Sequence, residues 1–246
     1  MTDLPRGLAS PEAIVFDLDG TLVDSAADLA VAVNGMLTAR DLRAWPVSDI
    51  RRWIGEGAER LVARALAASR AADGKASDLP DELVVEGLAD FRVRYAAACT
   101  LQTTLYPGAL DALAVARSAG RRVAVLTNKP SDQTETIIRH FGLDGRLDAW
   151  LGGDSPAGRK PNPAPLLEVL RRCGLRPTEE AVRRSWLIGD SITDIRTAKA
   201  AGAVAIAVRG GYDDADPIDR CEPRPDRIID ALGELANLIA PMRNTL

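Results

Sequence analysis

Short apolar runs that stop abruptly in polar residues, with helix-period segments between them, constrain this chain more than any other feature. Ala13-Ile-Val-Phe16 is followed at once by Asp-Leu-Asp-Gly, Arg122-Val-Ala-Val-Leu126 by Thr127-Asn128, and Ser185-Trp-Leu-Ile188 by Gly189-Asp190. Val204-Ala-Ile-Ala-Val208 is a further run of this kind, and Ala149-Trp-Leu151 a weaker one. Helical spacing over 109–119, 131–141, 163–173 and 191–201 ends at Gly120, Gly142, Gly174 and Gly202, residues suited to closing a helix. Near-continuous apolar strands joined by helices predict an α/β fold: a parallel sheet with helices on both faces. Such sheets bind ligands beyond the carboxyl ends of their strands, where the polar residues of the first three runs would meet.

One stretch breaks the alternation. From about 26 to 105 the sequence shows helical periodicity and no convincing strand: Ala26, Leu29, Ala30, Val33 and Leu37 keep helix spacing, as do Val84, Leu88, Phe91 and Tyr95. The expected organisation is therefore an α/β core from 1–25 and 106–246, with an inserted α-helical unit over 26–105 that returns near Tyr106-Pro107-Gly108. The proline-rich 217–225 stretch reads as a surface loop.

The chain has a single histidine, His140, which excludes histidine bases, phosphohistidine and paired histidine metal ligands. Chemistry must then come from carboxylates, hydroxyls and lysine. If the first strand runs on through Asp19, the Asp17 and Asp19 carboxylates point the same way, and Gly20 allows a tight turn. Thr127 and Asn128 precede a helix whose N-terminus suits an anion. Asp190 ends the third run, and Asp194 lies one helical turn later. Lys160 sits in Arg159-Lys-Pro-Asn-Pro163, stiffened by two prolines. Taken alone, each has an ordinary reading: a solvated turn, an unremarkable strand end, a helix cap, a loop lysine. Gathered at one sheet edge, the carboxylates would repel one another unless a cation sat among them, and oxygen-only ligands point to a hard ion such as Mg2+. A phosphate dianion is the natural guest of such a site.

Phe16-Asp-Leu-Asp-Gly-Thr-Leu-Val-Asp-Ser25, Leu126-Thr-Asn-Lys129, Lys160-Pro and Gly189-Asp-Ser-Ile-Thr-Asp194 resemble, in order, the four motifs of haloacid dehalogenase-like hydrolases. The resemblance implies a Rossmann-like core with a helical cap after the first motif. It also implies roles: Asp17 as nucleophile forming an aspartyl-phosphate, and Asp19 as the acid and then the base. Thr127 and the Asn128 amide would hold the phosphoryl group, with Lys160 balancing charge. Asp17, the Asp19 backbone carbonyl and Asp190 would hold Mg2+, with Asp194 orienting the cluster. Arg52-Trp-Ile-Gly-Glu-Gly-Ala-Glu-Arg-Leu61, together with Ala200 to Val204 and Gly210-Gly-Tyr212, resembles phosphoglycolate phosphatases more narrowly. On that reading 2-phosphoglycolate is the expected substrate, and the Gly55-Glu56-Gly57 turn is either a mobile loop bringing Arg52 or Glu56 to the substrate or an ordinary helix connection.

Rival functions on the same motifs are a hexose-phosphate mutase, an inorganic pyrophosphatase, another sugar-phosphate phosphatase or a non-catalytic phosphate-binding regulatory module. A dehalogenase proper has no use for the acid at Asp19. Net charge is -4 and no basic stripe interleaves with aromatics, so nucleic acid is not an expected partner. No run reaches the roughly 18 apolar residues of a membrane helix, the N-terminus lacks the pattern of a signal peptide, and the scattered Cys99, Cys173 and Cys221 suggest neither disulfides nor zinc. The expectation is a cytoplasmic monomer or homodimer. Cys221 and Arg227 satisfy a C-x5-R spacing, but the two prolines between them make a poor phosphate cradle; the P-loop likeness of Gly153 to Lys160 fails because Pro161 follows the lysine. His140 is expected near a helix carboxyl end without a ligand role.

Overall fold

The computed structural model describes residues 8–74, 78–212 and 218–239, so Pro217 and most of the N-terminal segment lie outside the described residues. In chain order, β1 (Ala13–Phe16) leads into the two-residue strand β2 (Val23–Asp24), four helices follow, and β3 (Thr104–Leu105) brings the chain back. The helices are α1 (Ala26–Thr38), α2 (Val47–Arg51), α3 (Ala58–Ala72) and α4 (Asp81–Ala98). Then come α5 (Ala109–Ser118), β4 (Arg122–Leu126), α6 (Ser131–His140), β5 (Ala149–Leu151), α7 (Ala164–Arg172), α8 (Glu179–Arg183), β6 (Ser185–Gly189), α9 (Ile192–Ala201), β7 (Val204–Val208), β8 (Arg227–Ile229) and α10 (Leu235–Ile239).

Six strands form one sheet in the order β5-β4-β1-β6-β7-β8, all neighbours parallel. Because successive side chains point to opposite faces, each strand feeds two cores. Ile14, Phe16, Val123, Val125, Trp186 and Ile188 pack on one face; Ala13, Val15, Ala124, Leu126 and Leu187 pack on the other. This double burial explains why the strands read as unbroken apolar runs. The strand β8 and the helices α8 and α10, of three to five residues, are too short to show a period in sequence.

The helical stretch has its own core, in which Val33, Met36, Leu37, Ile50, Val62, Leu66 and Phe91 are buried together. Its exit and return strands pair with each other antiparallel, Val23 opposite Leu105. Asp28, buried in α1, accepts bonds from the Gln102 and Thr103 amides (2.9 and 2.8 Å) and from the Thr103 hydroxyl (2.7 Å). These contacts tie the first helix to the returning chain and give the buried carboxylate its hydrogen-bond partners.

Two sequence expectations change. β1 stops at Phe16 rather than running through Asp19, because the chain turns at Gly20 with φ 88° and Leu18 drops into the core. The 217–225 stretch is less superficial than expected: Ile218 and Cys221 are buried under the sheet, since an apolar side chain in a loop gains by covering a core edge. Among the described residues no helix is long and apolar enough to cross a membrane.

Candidate active site

The carboxyl ends of β1, β4 and β6 deliver the expected residues to one place. Asp17 follows β1 directly, its amide donating to the Ile188 carbonyl of β6 at 2.8 Å. Asp190 follows β6, and Asp194 sits in the first turn of α9. One carboxylate oxygen from each of Asp17, Asp190 and Asp194 lies within 4.8 Å of the others, and all three residues are buried. The helix-cap reading of Asp190 does not hold, because Ser191 caps α9 and pairs with Asp194 through its amide (3.2 Å) and hydroxyl (2.6 Å). Asp190 is held instead by the Thr21 hydroxyl at 2.9 Å and the Tyr212 amide at 2.7 Å.

Glycine makes this closeness possible. A Cβ on Gly20 or Gly211 would lie 2.2 Å from the Asp190 carboxyl, and one on Gly189 would lie 2.2 Å from that of Asp194. The glycine following the acid pair is therefore a space requirement as well as a turn.

Lys160 is the cation of the cluster. Its ammonium is 2.7 Å from Asp17 Oδ1 and 2.6 Å from Asp194 Oδ1, and the carboxylates beside it raise its pKa. One positive charge faces three acids. Burial, with Asp194 and Asp190 adding repulsion, pushes Asp17 up to about 8, and burial with Asp194 repulsion pushes Asp190 to about 6. Buried oxygen ligands that resist ionising in one another's company fit a small divalent cation, which would remove that resistance. Asp17, Asp190 and Asp194 are the side chains placed to hold it.

Asp19 faces elsewhere. Its carboxylate accepts two bonds from the Lys129 ammonium, both 2.8 Å, and one from Ser25 Oγ at 2.6 Å. Asp17, Asp19, Thr127, Asn128 and Lys129 line a cleft whose far side comes from the helical unit, including Leu29, Ile54, Phe91 and Tyr95. Asn128 spans the two sides through Nδ2, which donates to the Lys160 carbonyl (3.1 Å) and the Gly55 carbonyl (3.3 Å). A second cleft reaches the acids from the other side and is lined by Arg52, Glu56, Arg64, Asp190 and Tyr212 among others. Arg52 and Glu56 thus stand at a mouth of the site, with Glu56 paired to Arg64.

Sequence alone overlooked Lys129, Tyr95, Arg51 and Tyr212. Lys129 stood inside the quoted Leu-Thr-Asn-Lys run, its burial being the missing clue. Arg51 bonds to Asp24 (3.0 Å) and Tyr106 (3.0 Å) and lies over the Tyr212 ring, 4.7 Å from its centroid. Nothing in a lone arginine beside Arg52 signals such a role. His140 ends α6, exposed against Phe141.

The profile of haloacid dehalogenase-like hydrolases matches residues 11–202, a span that includes every acid of the cluster. The chain belongs to that family. Among curated relatives, a phosphoglycolate phosphatase of Nitrosococcus oceani is 33% identical over 95% of this chain and 98% of its own length. Phosphoglycolate phosphatase 1 of Pseudomonas aeruginosa is 39% identical over 92% of this chain and 78% of its own. Among solved structures, a predicted phosphoglycolate phosphatase of Haemophilus somnus superposes with a TM-score of 0.84 at 31% identity, covering 95% of this chain and 100% of that one. This member of the haloacid dehalogenase-like hydrolases is accordingly an enzyme of the phosphomonoester hydrolase kind, built on a parallel α/β core.

Proposed function

We propose that the protein hydrolyses a small phosphomonoester, 2-phosphoglycolate foremost, to the alcohol and inorganic phosphate, with Mg2+ at the Asp17, Asp190 and Asp194 cluster. The observation that carries the reading is the separation of two acids at one strand end, Asp17 buried and Asp19 half-buried. Asp17 stands among carboxylates and Lys160, while Asp19 turns away from them to Lys129 and Ser25. The names of the curated relatives favour the substrate.

Bound there, Mg2+ supplies positive charge against the phosphoryl oxygens and keeps Asp17 ionised. Thr127 and the Asn128 amide orient the phosphoryl group before α6, and Lys160 offsets charge that builds on its oxygens. An Asp17 carboxylate oxygen attacks phosphorus, the phosphorus–ester oxygen bond breaks, and Asp19 gives its proton to the departing alcohol oxygen. Asp17 then carries the phosphoryl group. Asp19, now a base, takes a proton from water as its oxygen attacks phosphorus, and the bond to Asp17 breaks to release phosphate.

In this reading residues 26–105 form a cap that closes over the 1–25 and 106–246 core, shutting bulk water out, with Arg52 and Glu56 at its rim. The enzyme works in the cytoplasm as a monomer or homodimer. Assay of phosphomonoesters with Mg2+, following both phosphate and the second product, tests the assignment: glycolate and phosphate are expected from 2-phosphoglycolate. A rearranged sugar phosphate, or activity on pyrophosphate alone, would replace this reading by the mutase or pyrophosphatase alternative.

A further inference from the structure

Lys129 enters none of these steps, yet it is one of the most deeply buried charges in the protein, its side chain 3% exposed. Two of its three N–H groups are used on Asp19, and the third lies toward the Tyr95 hydroxyl, from which it can turn to a ligand. The ammonium stands 4.7 Å from the centroid of the Tyr95 ring. The Tyr95 hydroxyl, close enough for the ammonium to feel it, is buried and meets hydrogen-bond geometry with no group among the described residues. Tyr95 is itself only 3% exposed and lines the same cleft as Asp17 and Asp19.

Asp19 meets the ester oxygen in the proposed mechanism. An ammonium one hydrogen bond from Asp19 therefore lies within two hydrogen-bond lengths, about 6 Å, of that oxygen, where the first atoms of the leaving group must go. Beyond them the wall is mostly Leu29, Ile54, Leu61 and Phe91, with the exposed Arg92 and half-buried Gln133 as further polar lining, so the hydroxyls of a sugar tail find few buried partners there. A short anionic tail is different: it meets the third ammonium N–H and a phenol O–H that make no well-formed bond to each other, both already desolvated.

We propose that Lys129, with the Tyr95 hydroxyl beside it, receives a carboxylate carried on the leaving group one or two carbons from the ester oxygen. Lys129 is then the residue by which the enzyme selects acidic short-chain phosphomonoesters over neutral ones. Because Tyr95 comes from the helical unit and Lys129 from the core, the tail is gripped only when both walls are in place. The assignment rests on the phosphomonoesterase reading above.

The test compares kcat/KM for 2-phosphoglycolate and 2-hydroxyethyl phosphate, two alkyl esters that differ in having a charged or neutral tail. The unaltered enzyme is expected to favour the carboxylate about 100-fold, the scale of a buried charge-assisted hydrogen bond. Lys129→Met should reduce that ratio below about 3-fold, because damage done through Asp19 touches both esters and cancels. Lys129→Arg should keep a preference of about 10-fold, and Tyr95→Phe should lower it several-fold. A ratio near one in the unaltered enzyme would overturn the assignment, even if Lys129→Met did not fold. So would a Lys129→Met enzyme slowed equally on both esters with its ratio intact, since the lysine would then only hold Asp19. Failure to hydrolyse either ester with Mg2+ would instead remove the phosphatase reading itself.

Discussion

Lys160 and Asp17 are paired 2.7 Å apart in the floor of the site, and the same ammonium reaches the still more deeply buried Asp194 at 2.6 Å. Replacing Lys160 by Met would leave three buried acids with no internal cation. Removing one partner of a buried pair costs about 3–5 kcal/mol, so the metal-free variant should lose stability on that scale and recover part of it with Mg2+. Urea unfolding at pH 8 with chelator and with Mg2+ measures both; a loss under about 1 kcal/mol would mean that the lysine is incidental to the cluster.

Asp17→Asn should abolish hydrolysis, because the amide is a poor nucleophile. It should also stabilise the metal-free protein, by roughly 1–3 kcal/mol, since it removes a charge that burial and its neighbours already disfavour. A variant both inactive and less stable would contradict the repulsion argument, and near-native turnover would refute the role of Asp17.

Asp19→Asn keeps the nucleophile but loses the proton carrier. Turnover should fall by about 10²–10⁴-fold, while 4-nitrophenyl phosphate, whose leaving group needs little protonation, should still phosphorylate Asp17 slowly. Intact-mass measurement should then find a persistent phosphoprotein. Equal loss with no trapped phosphate would place Asp19 outside proton transfer.

Metal-free stability should decline as pH rises. Asp17 in the folded protein releases its proton near 8, and Asp190 near 6, against an unfolded value of 3.8. Between about pH 4 and 8 the folded state thus holds protons that the unfolded state has lost, and each further rise in pH favours unfolding. Mg2+ needs the ionised acids, so its stabilising effect should be larger at pH 8 than at pH 5. Melting curves in chelator and in Mg2+ at both pH values decide it: a flat chelator series would rule out the strained cluster.

Arg51 ties the helical unit to the core through Asp24, Tyr106 and the face of Tyr212, whose amide holds Asp190. Arg51→Ala should cost only about 1 kcal/mol in stability, as partly exposed pairs do, yet lower kcat/KM roughly 10-fold by loosening closure. Unchanged kinetics would make the contact merely structural.

Much of the architecture was readable from the chain because period is a local property: the runs ending at Phe16, Leu126, Ile188 and Val208, and the helices after Gly108 and Pro130, need only near neighbours to be recognised. Weak elements were not. β8 is held as the edge strand beside β7 and α10 by the core it packs on, and the Val23–Leu105 pairing joins residues far apart in sequence.

For the site, residue type and order determined that acids, a hydroxyl and a lysine would converge at strand ends, because a parallel sheet brings consecutive carboxyl ends to one edge. Tertiary structure alone decided which way each side chain faces. Asp17 joins Asp190 and Asp194 while Asp19 turns to Lys129, and Tyr95 from a distant helix completes that wall. Burial, which raises the energy of an unpaired charge, depends on what the whole fold excludes from water, and no local pattern carries that information.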